Sequence, residues 1–404
     1  MPTAAAPTKG AAEPPIAINL YALRVRKGAV RVVDDSLRTA GGAPNITTIS
    51  NITADLQAIN GTLSIPQFSG RLGQTVVSGS ARTTPTGADL TLASKSVSNA
   101  DLPSLFALAG MRPYPGLSIG GQSSFDVAAT VGGSDLKSLG ATGHAAFGSV
   151  QFGTIAMQDL RAPFRLEKGV VTLDPVTFTL YSGHEQGTVS IDMAKGTPTY
   201  AIKTTITGLD VNQALSANTT MKNFLSGTAQ MSADVHASGA AQPEIEKTLT
   251  GTTKFAVANG DVRNMPMLAT VNQVLGITGG SSSDTKFESL SGTAALGGGK
   301  ATTNDLTLHA GELSVLGKGT MAFDQAINMA VTVTVAAAKM TGVGGRVVGL
   351  AKPLQDQNGN LNIPGSVTGT ASNPKISLNL VSNAKKEVQG IGQGVGQSLK
   401  KLFH

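Results

Sequence analysis

The sequence contains no cysteine and no tryptophan, and both absences restrict its chemistry. Without cysteine the chain cannot form a disulfide, use a thiol nucleophile or hold an iron–sulfur cluster. Aromatic residues make up 4% of the 404 residues and charged residues 14%, and the net charge is +6. A nucleic-acid-binding protein usually concentrates its basic residues on one face, beside aromatic or base-reading side chains. The charges here are dilute along the chain, so we expect no nucleic-acid partner.

Long apolar runs are also missing, since no segment approaches the roughly 20 apolar residues that a membrane-spanning helix requires. The longest candidate, residues 326–338, is interrupted by threonine and rich in β-branched residues, which favours a strand. Residues 1–15 are rich in Pro, Ala and Thr and lack the apolar core of a signal peptide. We interpret them as a disordered linker.

What the sequence does contain is period-two alternation of apolar and polar residues, punctuated by its 49 glycines and 18 prolines. This pattern is typical of half-buried antiparallel strands joined by turns. It predicts a mainly β fold, an elongated antiparallel sheet or groove with a few short helices. The apolar positions of three strands form a candidate lipid-facing stripe, which consists of Val176, Phe178, Leu180, Met329, Val331, Val333, Val335, Ile376, Leu378 and Leu380.

Internal repetition organises the chain. Gly61, Gly169 and Gly299 open similar strand segments, and each segment is followed by a second strand that begins with glycine. Repeats that cannot bury their own apolar face stack into one continuous core. We therefore predict a single repeat-built β body over residues 16–382. Its copies are expected at about 16–110, 120–224 and 225–382.

Helix signals are few. Asp101, Asp210 and Asp261 each precede a short segment with helical spacing and are candidate N-caps. The strongest signal is at residues 383–404, where apolar residues at steps of three and four form one stripe with a basic flank. The residues of this candidate membrane- or partner-binding helix are Val388, Ile391, Val395, Leu399 and Leu402, with Lys385, Lys386, Lys400 and Lys401. The alternative is a helix that packs over the open end of the β body.

No residue set indicates an enzyme, a metal site or a cofactor. Gly116, Ser118 and Gly120 match the nucleophile-elbow motif, but that motif requires a helix after the serine, and a β-patterned run follows here. The five histidines stand alone, and the neighbouring side chains of His184 and Glu185 would point to opposite faces of an extended strand. We expect a protein that is not an enzyme and has no cofactor.

The order of these elements resembles the AsmA family. The run IPGSVTGTASNPKISL, which begins at Ile363, is similar to the closing segment of that family, where an apolar strand leads into glycine, a polar stretch, proline and another strand. The strand–glycine–strand unit at Leu290–Leu308 and the segments GELSVLGKGTMAFDQAINMAVTVTV and LTGTTKFAVANGDVRNM are also similar. The likeness covers most of residues 120–404 and, more weakly, residues 16–119.

This resemblance implies a cell-envelope protein of Gram-negative-type bacteria, related in architecture to chorein-type bridge-like lipid-transfer proteins. Such proteins usually have an N-terminal membrane helix and a large periplasmic β body, and they act in outer-membrane biogenesis and lipid homeostasis. The membrane helix is absent from this sequence, so we expect inner-membrane anchoring through a segment that this chain lacks. The implied partners are lipids, the membrane surface and other envelope proteins.

Two functions remain open from the sequence. In the first, the apolar face of the sheet shelters or transfers lipid in an open groove. In the second, the protein is a structural or chaperone-like envelope scaffold, and the apolar face is a closed core without lipid transport.

Overall fold

The computed structural model describes residues 19–38, 44–108, 116–133, 136–219, 222–263, 285–336, 354–370 and 373–378. Strands account for 76% of these residues. In this part of the chain all 19 strands belong to one antiparallel sheet, and the α-helices are short. The prediction of a mainly β, antiparallel fold with few short helices is therefore confirmed. The predicted C-terminal helix at residues 383–404 lies outside the described residues.

The chain divides into two compact units. The first contains residues 1–114, 122–145 and 166–168, and the second contains residues 115–121, 146–165 and 169–404. The strands of the early part are β1 (Leu20–Arg38), β2 (Pro44–Ile59), β3 (Thr62–Leu72), β4 (Thr75–Thr84), β5 (Gly87–Val97), β6 (Leu117–Val131), β7 (Leu139–Phe152) and β8 (Ile155–Glu167).

The later strands all lie in the second unit. They are β9 (Val170–Leu180), β10 (Gly183–Asp192), β11 (Thr199–Asp210), β12 (Leu225–Ser238), β13 (Thr250–Val262), β14 (Thr285–Gly297), β15 (Lys300–Ala310), β16 (Leu313–Ala322), β17 (Ala326–Val335), β18 (Leu361–Thr370) and β19 (Asn373–Leu378). The described α-helices are α1 (Leu102–Leu108), α2 (Val211–Asn218) and α3 (Gln242–Thr248).

Within each unit the strands form a simple meander. In the first unit each strand from β1 to β6 pairs with the next one in the chain. In the second unit the same holds from β9 to β19. Sequential antiparallel pairing needs only short connections, which the abundant turn residues supply.

The three segments opened by glycine fold into three matching strand trios. The trios are β3–β4–β5, β9–β10–β11 and β15–β16–β17, with strand lengths of 11, 10 and 11, then 11, 10 and 12, then 11, 10 and 10 residues. The first pair of every trio contains a register shift. One strand precedes each trio and two follow it, so the pattern recurs every six strands. The boundaries of the sequence copies stay a prediction.

The three predicted helix starts, at Asp101, Asp210 and Asp261, differ in what the structure shows for them. Asp210 is the N-cap of α2, because its side chain accepts a 3.0 Å hydrogen bond from the Gln213 backbone N–H. The helix predicted after Asp101 forms as α1, but the Asp101 side chain bonds elsewhere: its Oδ2 accepts from the N–H of Gln74 and from both the N–H and hydroxyl of Thr75, each at 2.8 Å. Asp261 is the penultimate residue of strand β13, and the segment predicted as a helix after it lies largely outside the described residues.

The hydrophobic core of the second unit collects where β11 meets α2 and where β17 ends and β18 begins. Val211 of α2, Leu313, Val335 and Leu361 are buried in it, and Leu354 packs beside them. The burial is one-sided along the strands, since the polar residues between these positions face the opposite way. This end of the sheet is a packed interior.

Substitution of Asp101 tests whether its carboxylate stabilises the turn between β3 and β4. Replacing Asp101 with Ala leaves three donors without their acceptor, including the fully buried Thr75. We expect the free energy of unfolding to fall by about 2–3 kcal/mol. Losing hydrogen bonds to a charged group costs roughly that much when buried donors are left without an acceptor. Urea denaturation of the variant and the parent protein measures the difference.

Asp55→Ala is the matched control. Among the described residues, Asp55 pairs with the exposed Arg24 and Arg26 at 3.7 and 3.4 Å, and surface ion pairs contribute about 0–1 kcal/mol. Equal effects of the two substitutions would contradict the role assigned to Asp101.

Candidate functional site

The described side chains that could take part in catalysis or bind a metal ion do not lie together in one site. Among the described residues, no group of three or more His, Asp or Glu is placed to hold a metal ion. His144 and His236 each face one aspartate, at 3.1 and 3.3 Å, and both ring side chains are largely exposed. Ser118 lies inside β6 and not at a turn between strand and helix, so the nucleophile-elbow motif is not formed.

The ladder register instead assembles one apolar face across the second unit. Directly opposed residues of an antiparallel pair lie on the same face, so the face can be followed from strand to strand. One unbroken row crosses β11 to β18 and consists of Leu209, Ala229, Val257, Leu290, Leu308, Val315, Val333 and Ile363. A parallel row crosses β9 to β14 and consists of Phe178, Glu185, Ile206, Met231, Phe255 and Gly292.

The described residues of the predicted stripe all lie on this face. Val176, Phe178 and Leu180 alternate along β9, and Met329, Val331, Val333 and Val335 do so along β17. Met329 stands opposite Val367, which stands opposite Ile376, and Leu378 follows on the same side. Leu380, like every residue of the tail helix from Lys385 to Leu402, lies outside the described residues.

Burial varies from position to position on the apolar face. Val333 is fully buried and Val335 nearly so, both within the packed core. Four residues back along β17, Met329 is only partly buried, and Phe178 and Ile376 are in the same class. The predicted stripe therefore contains buried positions, which are Val176 on β9 and Val331, Val333 and Val335 on β17, and partly accessible positions such as Phe178 and Met329.

Glu185 interrupts the apolar face. It is 6% exposed and sits between Phe178 and Ile206 in the ladder, while its neighbour His184 is exposed on the other face, as strand geometry predicts. Oε1 accepts a 2.6 Å hydrogen bond from the Thr204 hydroxyl, and Oε2 has no hydrogen-bond partner among the described residues. A Cβ at Gly187 would clash with the Lys203 carbonyl oxygen of the next strand and would lie 2.7 Å from Oε1, so glycine here accommodates both the neighbouring backbone and the carboxyl group.

Burial raises the pKa of Glu185 above its ordinary value of 4.5, and the Thr204 hydrogen bond offsets only part of that effect. The folded protein therefore binds a proton at Glu185 more readily than the unfolded chain does. Stability from this group is present at acidic pH and is lost as the pH rises through the folded-state pKa. Sequence reasoning missed this residue, because its burial depends on the glycine two positions along the chain and on a threonine from the next strand.

A polar groove of about 1330 Å³ runs over the other face of β9 to β14. By the register, its lining residues Thr177, Thr205 and Thr252 lie opposite to the apolar face. One ion pair crosses it, between Lys203 Nζ and Asp234 Oδ2 at 3.4 Å. The alternation that marks the apolar stripe also places hydroxyl groups here, on the opposite face of the same strands.

Substitution of Glu185 with Gln tests the charge state of the buried carboxyl group. Gln keeps the shape and can accept from Thr204, but it removes the desolvated negative charge. We expect the variant to be more stable than the parent at pH 7.5 by about 1–2 kcal/mol, because removing an ionised carboxylate from water costs more free energy than removing a neutral amide. Below pH 4.5 the two proteins should converge. Urea denaturation at both pH values measures this.

Glu167→Gln is the control, since Glu167 is largely exposed and, in the described part of the chain, pairs with its neighbour Lys168. It should change stability little at either pH. A Glu185→Gln variant that is less stable than the parent at pH 7.5 would show that the charged form is the one the fold supports.

Comparison with known proteins gives one match. The model of the AsmA family matches residues 139–306, the span from the start of β7 to the middle of β15. No curated protein and no solved structure matches the chain. In the described part of the chain, no helix has the length and apolar character needed to cross a membrane. AsmA is a family of cell-envelope proteins and in general not of enzymes. The family predicted from the sequence is thus confirmed by the match of the AsmA family model over residues 139–306.

Proposed function

We propose that this protein shelters or transfers lipid along the apolar face of its second unit, as a non-enzymatic protein of the cell envelope. The observation that carries the proposal is the partly accessible portion of that face, which includes Phe178, Met329 and Ile376. Acyl chains suit such a surface because each methylene group removed from water contributes about 0.8 kcal/mol without requiring a directional contact. The AsmA match supports the envelope setting.

The composition of the face favours acyl chains over a polar ligand. Its rows contain aliphatic side chains, methionine and two phenylalanines, and Glu185 is the one carboxyl group among the rows traced above. Glu185 accepts a hydrogen bond from Thr204 and is 6% exposed, so little of its carboxyl group is accessible to a lipid. An acyl chain lying along this face would therefore meet little exposed charge.

A scaffold with a closed core is the second candidate, and the packed end of the sheet favours it. Val333, Leu361 and Ile363 are inaccessible to solvent or nearly so, as in any protein interior. A closed scaffold would extend this packing over the whole face, and the two functions thus differ in what covers Met329 and Phe178.

The cellular setting and partners are part of the proposal. We propose a periplasmic location with inner-membrane anchoring, and roles in outer-membrane biogenesis and lipid homeostasis, supported by the family match. Residues 383–404, with their apolar stripe and basic flank, are proposed to contact a membrane or another envelope protein.

Met329→Asp tests the lipid function. In the parent protein, purified from a membrane-containing bacterial host, we expect bound lipid to be detected by extraction and mass spectrometry. The variant should carry less than one tenth as much, because an unpaired carboxylate against an acyl chain costs several kcal/mol. Its circular dichroism spectrum should remain that of a β protein, since Met329 is partly exposed.

Two substitutions on the same strand serve as controls. Ala330→Asp places the same charge on the adjacent, exposed position of the opposite face and should leave bound lipid unchanged. Val333→Asp lies on the apolar face but in the closed core, so it should unfold the protein or lower its stability by more than about 3 kcal/mol. No lipid in the parent protein, with Met329→Asp as disruptive as Val333→Asp, would establish the closed scaffold.

A further inference from the structure

The buried carboxyl group of Glu185 has one oxygen atom that the fold leaves unused. The residue is 6% exposed, and its Oε1 accepts the 2.6 Å hydrogen bond from the Thr204 hydroxyl. Oε2 is buried as well and has no hydrogen-bond partner among the described residues, and none of the ion pairs in that part of the chain includes Glu185. Buried polar atoms in native proteins are nearly always hydrogen-bonded, so a free one points to a group that is bound there.

A row of small residues lies beside Glu185 on the apolar face. Directly opposed positions of the ladder define it from β10 to β14, and we call it the small-residue row: Gly187, Thr204, Ala233, Thr253 and Ala294. All five residues are only partly buried. With neighbouring strands about 4.8 Å apart, the row extends roughly 19 Å across the sheet.

Larger side chains flank the small-residue row on both sides. Two residues along the strands in one direction lie Ile206, Met231 and Phe255. Two residues in the other direction lie Val189, Ile202 and Val235, all of them partly exposed. Short side chains between two rows of long ones form a trough. Because the trough is a single row wide, it suits one acyl chain better than the two chains of a diacyl lipid.

The Glu185 carboxyl group points into this trough. Its Oε1 is bonded to Thr204 and would lie 2.7 Å from a Cβ at Gly187, and both of these residues belong to the small-residue row. The carboxyl group therefore lies over the β10–β11 end of the trough. An elongated apolar site with a polar group at one end is the arrangement that orients an amphiphilic ligand.

We propose that the trough binds a single-chain lipid with a hydroxyl group in its head, such as a monoacylglycerol. The hydroxyl group bonds to Oε2 of Glu185, and the acyl chain lies along the small-residue row toward Ala294. This inference rests on the proposed function, since it assigns a ligand class to part of the same apolar face.

The state of the carboxyl group favours a hydroxyl partner over a charged one. Burial raises the pKa of Glu185, so its protonated form is more populated than that of an exposed glutamate. A hydroxyl group both donates and accepts hydrogen bonds, so it pairs with Oε2 in either protonation state. An ammonium group pairs only with the ionised form, and an anionic headgroup is repelled by that form.

Two ligands with the same chain test the proposal on the full protein. 1-Monolauroylglycerol carries hydroxyl groups in its head, whereas methyl laurate has no hydrogen-bond donor. We expect the parent protein to bind the first at least roughly tenfold more tightly, because one hydrogen bond to a buried carboxyl group contributes about that factor. Isothermal titration calorimetry below the critical micelle concentrations measures both affinities.

Glu185→Leu should abolish the preference between the two ligands while still binding methyl laurate. Glu185→Gln should keep the preference, because the amide also bonds to a hydroxyl group. Gln186→Leu is the control, since Gln186 is the exposed neighbour on the other face, and it should behave as the parent does.

A second pair of variants tests the trough itself. Ala233→Leu places a long side chain in the small-residue row and should weaken the binding of both ligands by a similar factor. Ser232→Leu makes a comparable change at the adjacent, exposed position of the opposite face and should leave both affinities unchanged. Urea denaturation and circular dichroism show which variants are folded.

Three results would overturn the proposal. Equal affinities of the parent for the two ligands would do so even if Glu185→Leu failed to fold. The others are an unchanged preference in folded Glu185→Leu and equal effects of Ala233→Leu and Ser232→Leu. If methyl laurate binds and lipid co-purifies with the parent, any of these results leaves the proposed function standing. Absence of both ligands and of co-purified lipid would overturn the two proposals together.

Discussion

The register of the antiparallel ladder is the constraint on which the rest of this structure depends. Side chains alternate between faces with a period of two, so a slip of one residue in any pair would move every apolar side chain of that strand to the polar face. From β9 to β19 the pairing keeps apolar side chains on one face and polar side chains on the other over eleven strands. The register shifts only at local irregularities, such as the one between Gly187 and Val189. The apolar face, the polar groove and the buried carboxyl group all follow from this alignment.

The sequence allows some of these features to be predicted and not others. Alternation identified Phe178 and Met329 as members of one apolar face, because face membership requires only the strand period. It could not separate them from Val333, which has the same period but lies under the packed core. That difference depends on which residues, such as Leu354, join Val333 in the buried cluster, which is a property of the assembled fold.

Glu185 and the polar groove show a second limit of sequence reasoning. A glutamate within a strand pattern is normally exposed, and its burial here depends on contacts from two neighbouring positions in space, Thr204 and Gly187. Two carboxylates that bind turns, those of Asp101 and Glu288, were equally beyond prediction from the sequence. Asp101 binds the turn between β3 and β4, some 27 residues earlier in the chain, and Glu288 binds the Gly311 N–H of the β15–β16 turn at 2.9 Å. Short-range capping rules cannot find partners at such separations.

The six-strand recurrence also determines how a protein of this kind can change in size. Because six is an even number, a strand and its counterpart one set later run in the same direction, as β11 and β17 do. Insertion or deletion of a whole set therefore preserves strand polarity, the side on which apolar residues lie and the end at which helical connections leave the sheet. An odd number of added strands would reverse the polarity of all that follow. Each complete set extends the hydrogen-bonded direction by about 29 Å, so the ladder has a natural unit of growth close to the thickness of a bilayer's hydrocarbon core.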